Sequence, residues 1–125
     1  MASINPQRGE VWRVEFDPAR GAEIRKTRPA VVVNVATAGK LALRVIVPLT
    51  EWHPAFAKTF WHVQIEPNEQ KGLAKTSAAD TFQVRSFSLE RFIEKIGRIE
   101  ENEIAAIADA LGRVLGSSSP KSIQE

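Results

Sequence analysis

At 125 residues, 43% hydrophobic and 26% charged, the chain has the size and composition of one globular domain whose core needs no metal or disulfide staple. The absence of cysteine excludes disulfides and thiolate metal sites, and a net charge of +2 gives no general affinity for nucleic acid. No apolar run has the length of a signal peptide core or a membrane span, so the cytoplasm is the expected compartment, without a membrane partner.

Residues 1–8 are polar and read as a lead-in. From Val11 the pattern alternates, with Trp12, Val14 and Phe16 on one side and Arg13, Glu15 and Asp17 on the other, the period of a half-buried strand. Asp17-Pro18 stops it, because proline removes a ladder donor and favours a turn. Residues 30–36, AVVVNVA, read as a strand buried on both faces, and residues 37–40 as a tight turn around Gly39. Residues 41–49 form a third strand and complete a meander, with Pro48 suited to an edge or a terminus.

A loop with Trp52, His53 and Pro54 follows. Residues 59–66 alternate again, setting Phe60 and His62 against Trp61, Val63 and Ile65. Residues 78–85 fit a strand or a short helix by pattern; Thr81, Phe82 and Val84 favour the strand. Ser88 is a candidate N-cap for one or two helical turns, which Gly97 interrupts before a strand at residues 95–99. Ile104, Ile107, Ala108, Leu111, Val114 and Leu115 then recur at helical spacing, with Glu100, Glu101 and Glu103 at the start, Arg113 near the end and Gly116 as the stop. The expectation is five to seven short strands in a mainly β, partly open and strongly bent barrel, closed by a C-terminal helix. Residues 1–116 make the domain and residues 117–125 a flexible tail.

Positive charge is concentrated between the first two strands. Residues 20–29, RGAEIRKTRP, hold Arg20, Arg25, Lys26 and Arg28 against one carboxylate, Glu23. Such a loop is either a solvated surface turn or, pinned by strands at both ends, a site for an anion such as phosphate.

Three segments in order resemble the MazF/PemK/Kid family of toxin endoribonucleases: RGEVWRVEFDPARGAEIRKTRPAVVVN (residues 8–34), VIVPLT (45–50) and KTSAADTFQVRSFSLERFIEKIGRI (75–99). The resemblance implies an SH3-like barrel and a homodimer. It implies cleavage of single-stranded RNA at short sequences without a metal or other cofactor, and neutralisation by a MazE-like antitoxin. Arg28, before Pro29, matches the family's essential arginine, and Thr50 the threonine paired with it. Glu23 matches the acidic residue of the GSEQ loop, although Ala22 and Ile24 replace its serine and glutamine. Gln83 and Arg85 match the QxRT segment, with Ser86 in place of threonine. Some members use an aspartate just before the glutamine in catalysis. That position is Phe82 here, so a mechanism that needs this carboxylate is not expected.

Metal-free RNA cleavage by the adjacent 2′-hydroxyl needs a proton acceptor, a proton donor and positive charge at the phosphoryl oxygens. Arg28 offers planar donors matched to phosphate and is also a candidate for the final proton donor. Thr50 can donate a hydrogen bond but is a poor base. Glu23 is the candidate base, although its cationic neighbours favour the ionised form and weaken it in that role. Arg20, Arg25 and Lys26 are candidates to guide and hold RNA. Trp52 and His53 follow Thr50 and are candidate RNA contacts, whereas Trp12 and Trp61 read as core and His62 as a strand residue. Two rivals stand beside this reading: a non-catalytic toxin such as a gyrase poison, and an SH3-like module that binds nucleic acid or peptide without cutting.

Overall fold

The structure is a computed structural model that describes residues 4–36 and 41–117. The expected turn around Gly39 and all of the expected tail except Ser117 lie outside the described residues. Seven strands are present: β1 (Glu10–Glu15), β2 (Thr27–Val32), β3 (Leu43–Glu51), β4 (His62–Ile65), β5 (Ser77–Asp80), β6 (Arg85–Ser88) and β7 (Phe92–Arg98). One helix follows, α1 (Glu101–Val114). The antiparallel sheet runs β4-β5-β3-β2-β1-β7, with β6 also paired to β3. It ends on β4 and β7 and stays open, as a mainly β, partly open barrel with a terminal helix should. No helix among the described residues is long and apolar enough to cross a membrane.

The valine-rich run is buried on both faces only as far as Val33: the strand ends at Val32, and Val35 and Ala36 are exposed. Val31 and Val33 face one core with Val11, Val47, Leu49, Ile65, Ile104 and Ile107. Ala30 and Val32 face the other with Trp12, Val14, Phe16, Ile46, Phe87 and Phe92. Alternate residues of one strand therefore anchor two cores, each fully buried valine contributing about 1.5–3 kcal/mol. Helix α1 covers the first core with Ile104 and Ile107. The second is filled by edge-to-face aromatic pairs, Phe16 with Phe87 at 5.1 Å and Trp12 with Phe92 at 5.8 Å. Register shifts between β1 and β7 at Val11/Trp12 and Arg13/Val14 add twist and bend the sheet.

Four further readings of the sequence change. Residues 78–85 are not one strand: β5 ends at Asp80, whose carboxylate accepts the Phe82 N–H at 3.2 Å and caps a 3-10 turn, Thr81–Gln83. That turn lets β5 and β6 pair with different parts of β3, at Leu49–Glu51 and Leu43–Ile46. Pro48 lies in a central strand, in the gap between those two pairings, where a missing donor is tolerated. Ser88 caps a single 3-10 turn (Leu89–Arg91), and β7 starts at Phe92, earlier than expected. Gly97 interrupts no helix; it sits within β7, where a Cβ would collide with the Lys71 backbone crossing above it.

Lys71 ties that crossing to the helix. Its buried Nζ donates to Glu66 O at 2.7 Å and Glu103 Oε2 at 2.8 Å, with Glu100 Oε2 at 3.4 Å. Glu103 also accepts the Glu100 N–H at 2.9 Å, so one carboxylate serves both the helix start and the buried ammonium.

Candidate active site

The basic segment is shorter as a loop, and more tightly held, than its composition suggests. The Phe16 N–H donates to Lys26 O at 2.8 Å and closes its base. Lys26 adopts a left-handed φ of +66°, turning the chain into β2. Strand β2 starts at Thr27, so Arg28 and Pro29 belong to it, opposite Val14 and Arg13 of β1, rather than to the loop.

Arg28 and Thr50 lie just beyond the paired parts of β2 and β3. Ala30 and Pro48 form the last rung, and Arg28 and Thr50 each lie two residues beyond it, Arg28 on the strand face of Ala30 and Val32. Thr50 is half-buried and opposite Ala78 of β5, so it is anchored on the strand's other side. The exposed Arg28 side chain is steadied by Nε donating to Arg25 O at 3.3 Å.

Across the loop, Glu23 Oε1 accepts the Arg20 N–H at 2.7 Å, while its own N–H donates to Arg20 O at 3.0 Å. Gln83 then clamps the loop from the capped 3-10 turn. Its Oε1 accepts the Ile24 N–H at 2.7 Å, and its Nε2 donates to Ala22 O at 3.2 Å. Ile24 packs against the second core beside this bridge. Ala22 and Glu23 on one side and Phe82, Gln83, Val84 and Arg85 on the other line an open cleft.

Arg85, opposite Ile46 in the ladder, lies over the Phe87 ring at 4.6 Å, and its Nη1 is buried without a hydrogen-bond partner. Arg91 lies over the same ring at 4.6 Å and donates from Nη1 to Glu15 O and Asp17 O at 3.0 and 2.9 Å, fixing the other foot of the loop. Among the described residues, Arg20, Arg25, Lys26, Arg28 and Arg85 are in no ion pair. Even with Glu23 in the same segment, its net charge is positive, which suits an anionic guest.

Trp52 and His53 stand elsewhere. They gather around Phe56, Trp52 half-buried at 5.7 Å and edge-on, His53 exposed at 5.8 Å, and neither lines the cleft. His62 stacks flat on Phe56 at 3.8 Å, with Thr59 Oγ1 2.6 Å from Nδ1 and Asp80 Oδ2 3.7 Å from Nε2. Burial pushes its pKa down and the nearby Asp80 only partly restores it. Trp12 is buried as expected and donates from Nε1 to Glu10 at 2.9 Å.

Sequence reasoning passed over Asp80 and Arg91, which build the site without entering it. The pattern Asp-Thr-Phe before a polar residue is a cap signal that could have revealed Asp80. Arg91 left no such sign, because its partners lie 76 and 74 residues away.

Residues 7–115 match the family model described as PemK-like, MazF-like toxin of type II toxin-antitoxin system. Endoribonuclease MazF9 of Mycobacterium tuberculosis is 36% identical over 111 residues, covering 84% of this chain and 92% of that protein. The crystal structure of MazF from Deinococcus radiodurans superposes with a TM-score of 0.72 at 23% identity, covering 89% of this chain and 96% of that one. An endoribonuclease in complex with its cognate antitoxin, from a mycobacterial species, superposes with a TM-score of 0.73 at 19% identity, covering 93% of this chain and all of the other, 100%. A family match along nearly the whole described chain, together with that identity, shows that this protein belongs to the PemK-like, MazF-like toxins of type II toxin-antitoxin systems.

Proposed function

We propose that the protein is the toxin of a type II toxin-antitoxin pair and an endoribonuclease that cuts single-stranded RNA without a metal. The observation that supports this is that Arg28 and Thr50 each lie two residues beyond the last β2–β3 rung, with Arg28 bonded to the clamped loop that bears Glu23 and cations in no ion pair.

In the proposed reaction, the RNA 2′-oxygen attacks the adjacent phosphorus while the bond from phosphorus to the 5′-oxygen breaks. Glu23 accepts the 2′-hydroxyl proton, and its exposed position on the loop leaves it open to the substrate. Arg28 neutralises the charge that grows on the non-bridging oxygens and gives a proton to the leaving 5′-oxygen; Glu23 then loses its proton to solvent and Arg28 regains one, so both groups return to their starting states. Thr50 donates a hydrogen bond to the same phosphate. The products are a cyclic 2′,3′-phosphate and a 5′-hydroxyl, with no redox change and no co-reactant. Arg20, Arg25, Lys26 and Arg85 attract and hold the backbone, while Gln83 acts through the loop that it clamps. Trp52 and His53 would touch only nucleotides that run beyond the cleft.

The antitoxin seated on a solved relative supports a MazE-like antitoxin as the partner here, and an acidic segment laid over the uncancelled cations would block the site. A homodimer within the cytoplasm, with residues 1–116 as the working domain, completes the proposal. Incubating purified protein with cellular RNA and EDTA tests it. Cleavage is expected, whereas intact RNA with a gel shift would mark a binding module, and gyrase inhibition without RNA cleavage a poison.

A further inference from the structure

We propose that Phe82 is a stacking platform for one unpaired base of the substrate, setting which nucleotide enters the cleft; this rests on the RNA-cleaving reading above. Buried aromatic rings fill the second core, whereas Phe82 is 58% exposed on the cleft wall beside Gln83 and Arg85. A single exposed apolar residue is ordinary. This one is held with unusual care.

Its turn is fixed from three sides. Asp80 caps the Phe82 N–H at 3.2 Å, and Gln83 is bound to the loop opposite. Both the N–H and the hydroxyl of Thr81 donate to Trp61 O, at 3.0 and 2.7 Å. Trp61 meets the Phe82 ring edge-on, at 5.1 Å and 84°, bracing it without stacking on it. A rigid, exposed ring beside cations in no ion pair combines the two things single-stranded nucleic acid offers, a flat base and a charged backbone. Stacking tolerates any base, so Phe82 would place the strand, and polar groups around it would discriminate.

The test uses an RNA that the full-length wild-type protein cleaves and compares F82L and F82W. Losing one base platform should raise KM about five- to a hundredfold in F82L, with kcat little changed, because the contact exists before the transition state. F82W should restore KM. The salt dependence should keep its slope in F82L, since no phosphate contact is lost; losing one phosphate contact would lessen it by about 0.7. Wild-type KM in F82L, or failure of F82W to restore a raised one, overturns the platform while leaving the cleavage reading intact. A wild-type protein that cleaves no RNA overturns both. Should F82L fail to fold, wild-type protein is assayed on substrates carrying an abasic nucleotide at each position in turn. One position should raise KM within the same range, and no sensitive position overturns the platform.

Discussion

Gln83 shows how much of this site is made by residues that need never touch substrate. Two loop backbone groups, the Ile24 N–H and the Ala22 carbonyl, end on its amide, and no sequence motif announces that pairing across 59 and 61 positions. Each such bond is worth about 1 kcal/mol net, and together they keep Glu23 over the cleft. Gln83→Leu is therefore expected to lower RNA cleavage about five- to thirtyfold, two lost bonds at about 0.5–1 kcal/mol each being about 1–2 kcal/mol. It should also speed trypsin cutting after Arg20, Arg25 and Lys26; an unchanged digestion rate would contradict the clamp. Glu10 is a structural counterpart. Burial alone would raise its pKa, but hydrogen bonds from Trp12 and Gln7 and the Lys95 ammonium at 3.1 Å hold it below the usual 4.5, with Arg98 at 3.8 Å. A depressed folded pKa means its stabilisation is present above 4.5 and is lost as pH falls through the folded value. Thermal melts from pH 6 down to about pH 3 should show a steeper decline for the wild type than for Glu10→Gln, and parallel curves would refute this.

At the scale of elements, local patterns were legible wherever burial has a simple period. The alternation of β1, the two-sided burial of β2 and most of the apolar stripe of α1 follow from periods of two or of about 3.6, although Ala110 is buried in place of Ala108 and Leu115 is exposed. What sequence could not supply was competition among distant partners. Thr81, Phe82 and Val84 look like strand residues, yet a side-chain cap at Asp80 wins because β3 offers two separate stretches of edge. Likewise Arg28 read as a loop residue, because the pairing of β2 with β1 that includes it in the sheet is not local. The crossing at Lys71 is the other hidden joint. Lys71→Met removes the cation from between Glu100 and Glu103 and leaves the Glu66 carbonyl short of a donor. The expected loss is about 3 kcal/mol, measured by urea unfolding. A change below about 0.5 kcal/mol, the size of an ordinary surface substitution, would show that the crossing does not hold α1 in place.

For the molecule as a whole, the fold follows from two apolar cores on one twisted sheet, and the site lies where that sheet opens. Arg28 leaves β2 and Thr50 leaves the end of β3 just beyond the last residues that pair those strands. The basic loop, read by itself, could equally have been solvated surface. Its proposed meaning depends on a threonine 22 positions from Arg28 in sequence, which lies as far beyond the last β2–β3 rung as Arg28 does. The clamped loop joins the two parts: Glu23 lines the cleft with Gln83 and Arg85, and the Arg25 carbonyl accepts from Arg28 Nε at the start of β2. Removing one well-placed donor to a developing charge commonly costs about 2.7–4 kcal/mol of barrier. The most direct test is the cleavage rate of a defined RNA, in EDTA, by purified Arg28→Ala beside wild type. A rate at least about a hundredfold lower, with an unchanged Tm, is the predicted result. Cleavage near the wild-type rate by a folded Arg28→Ala protein would contradict the account.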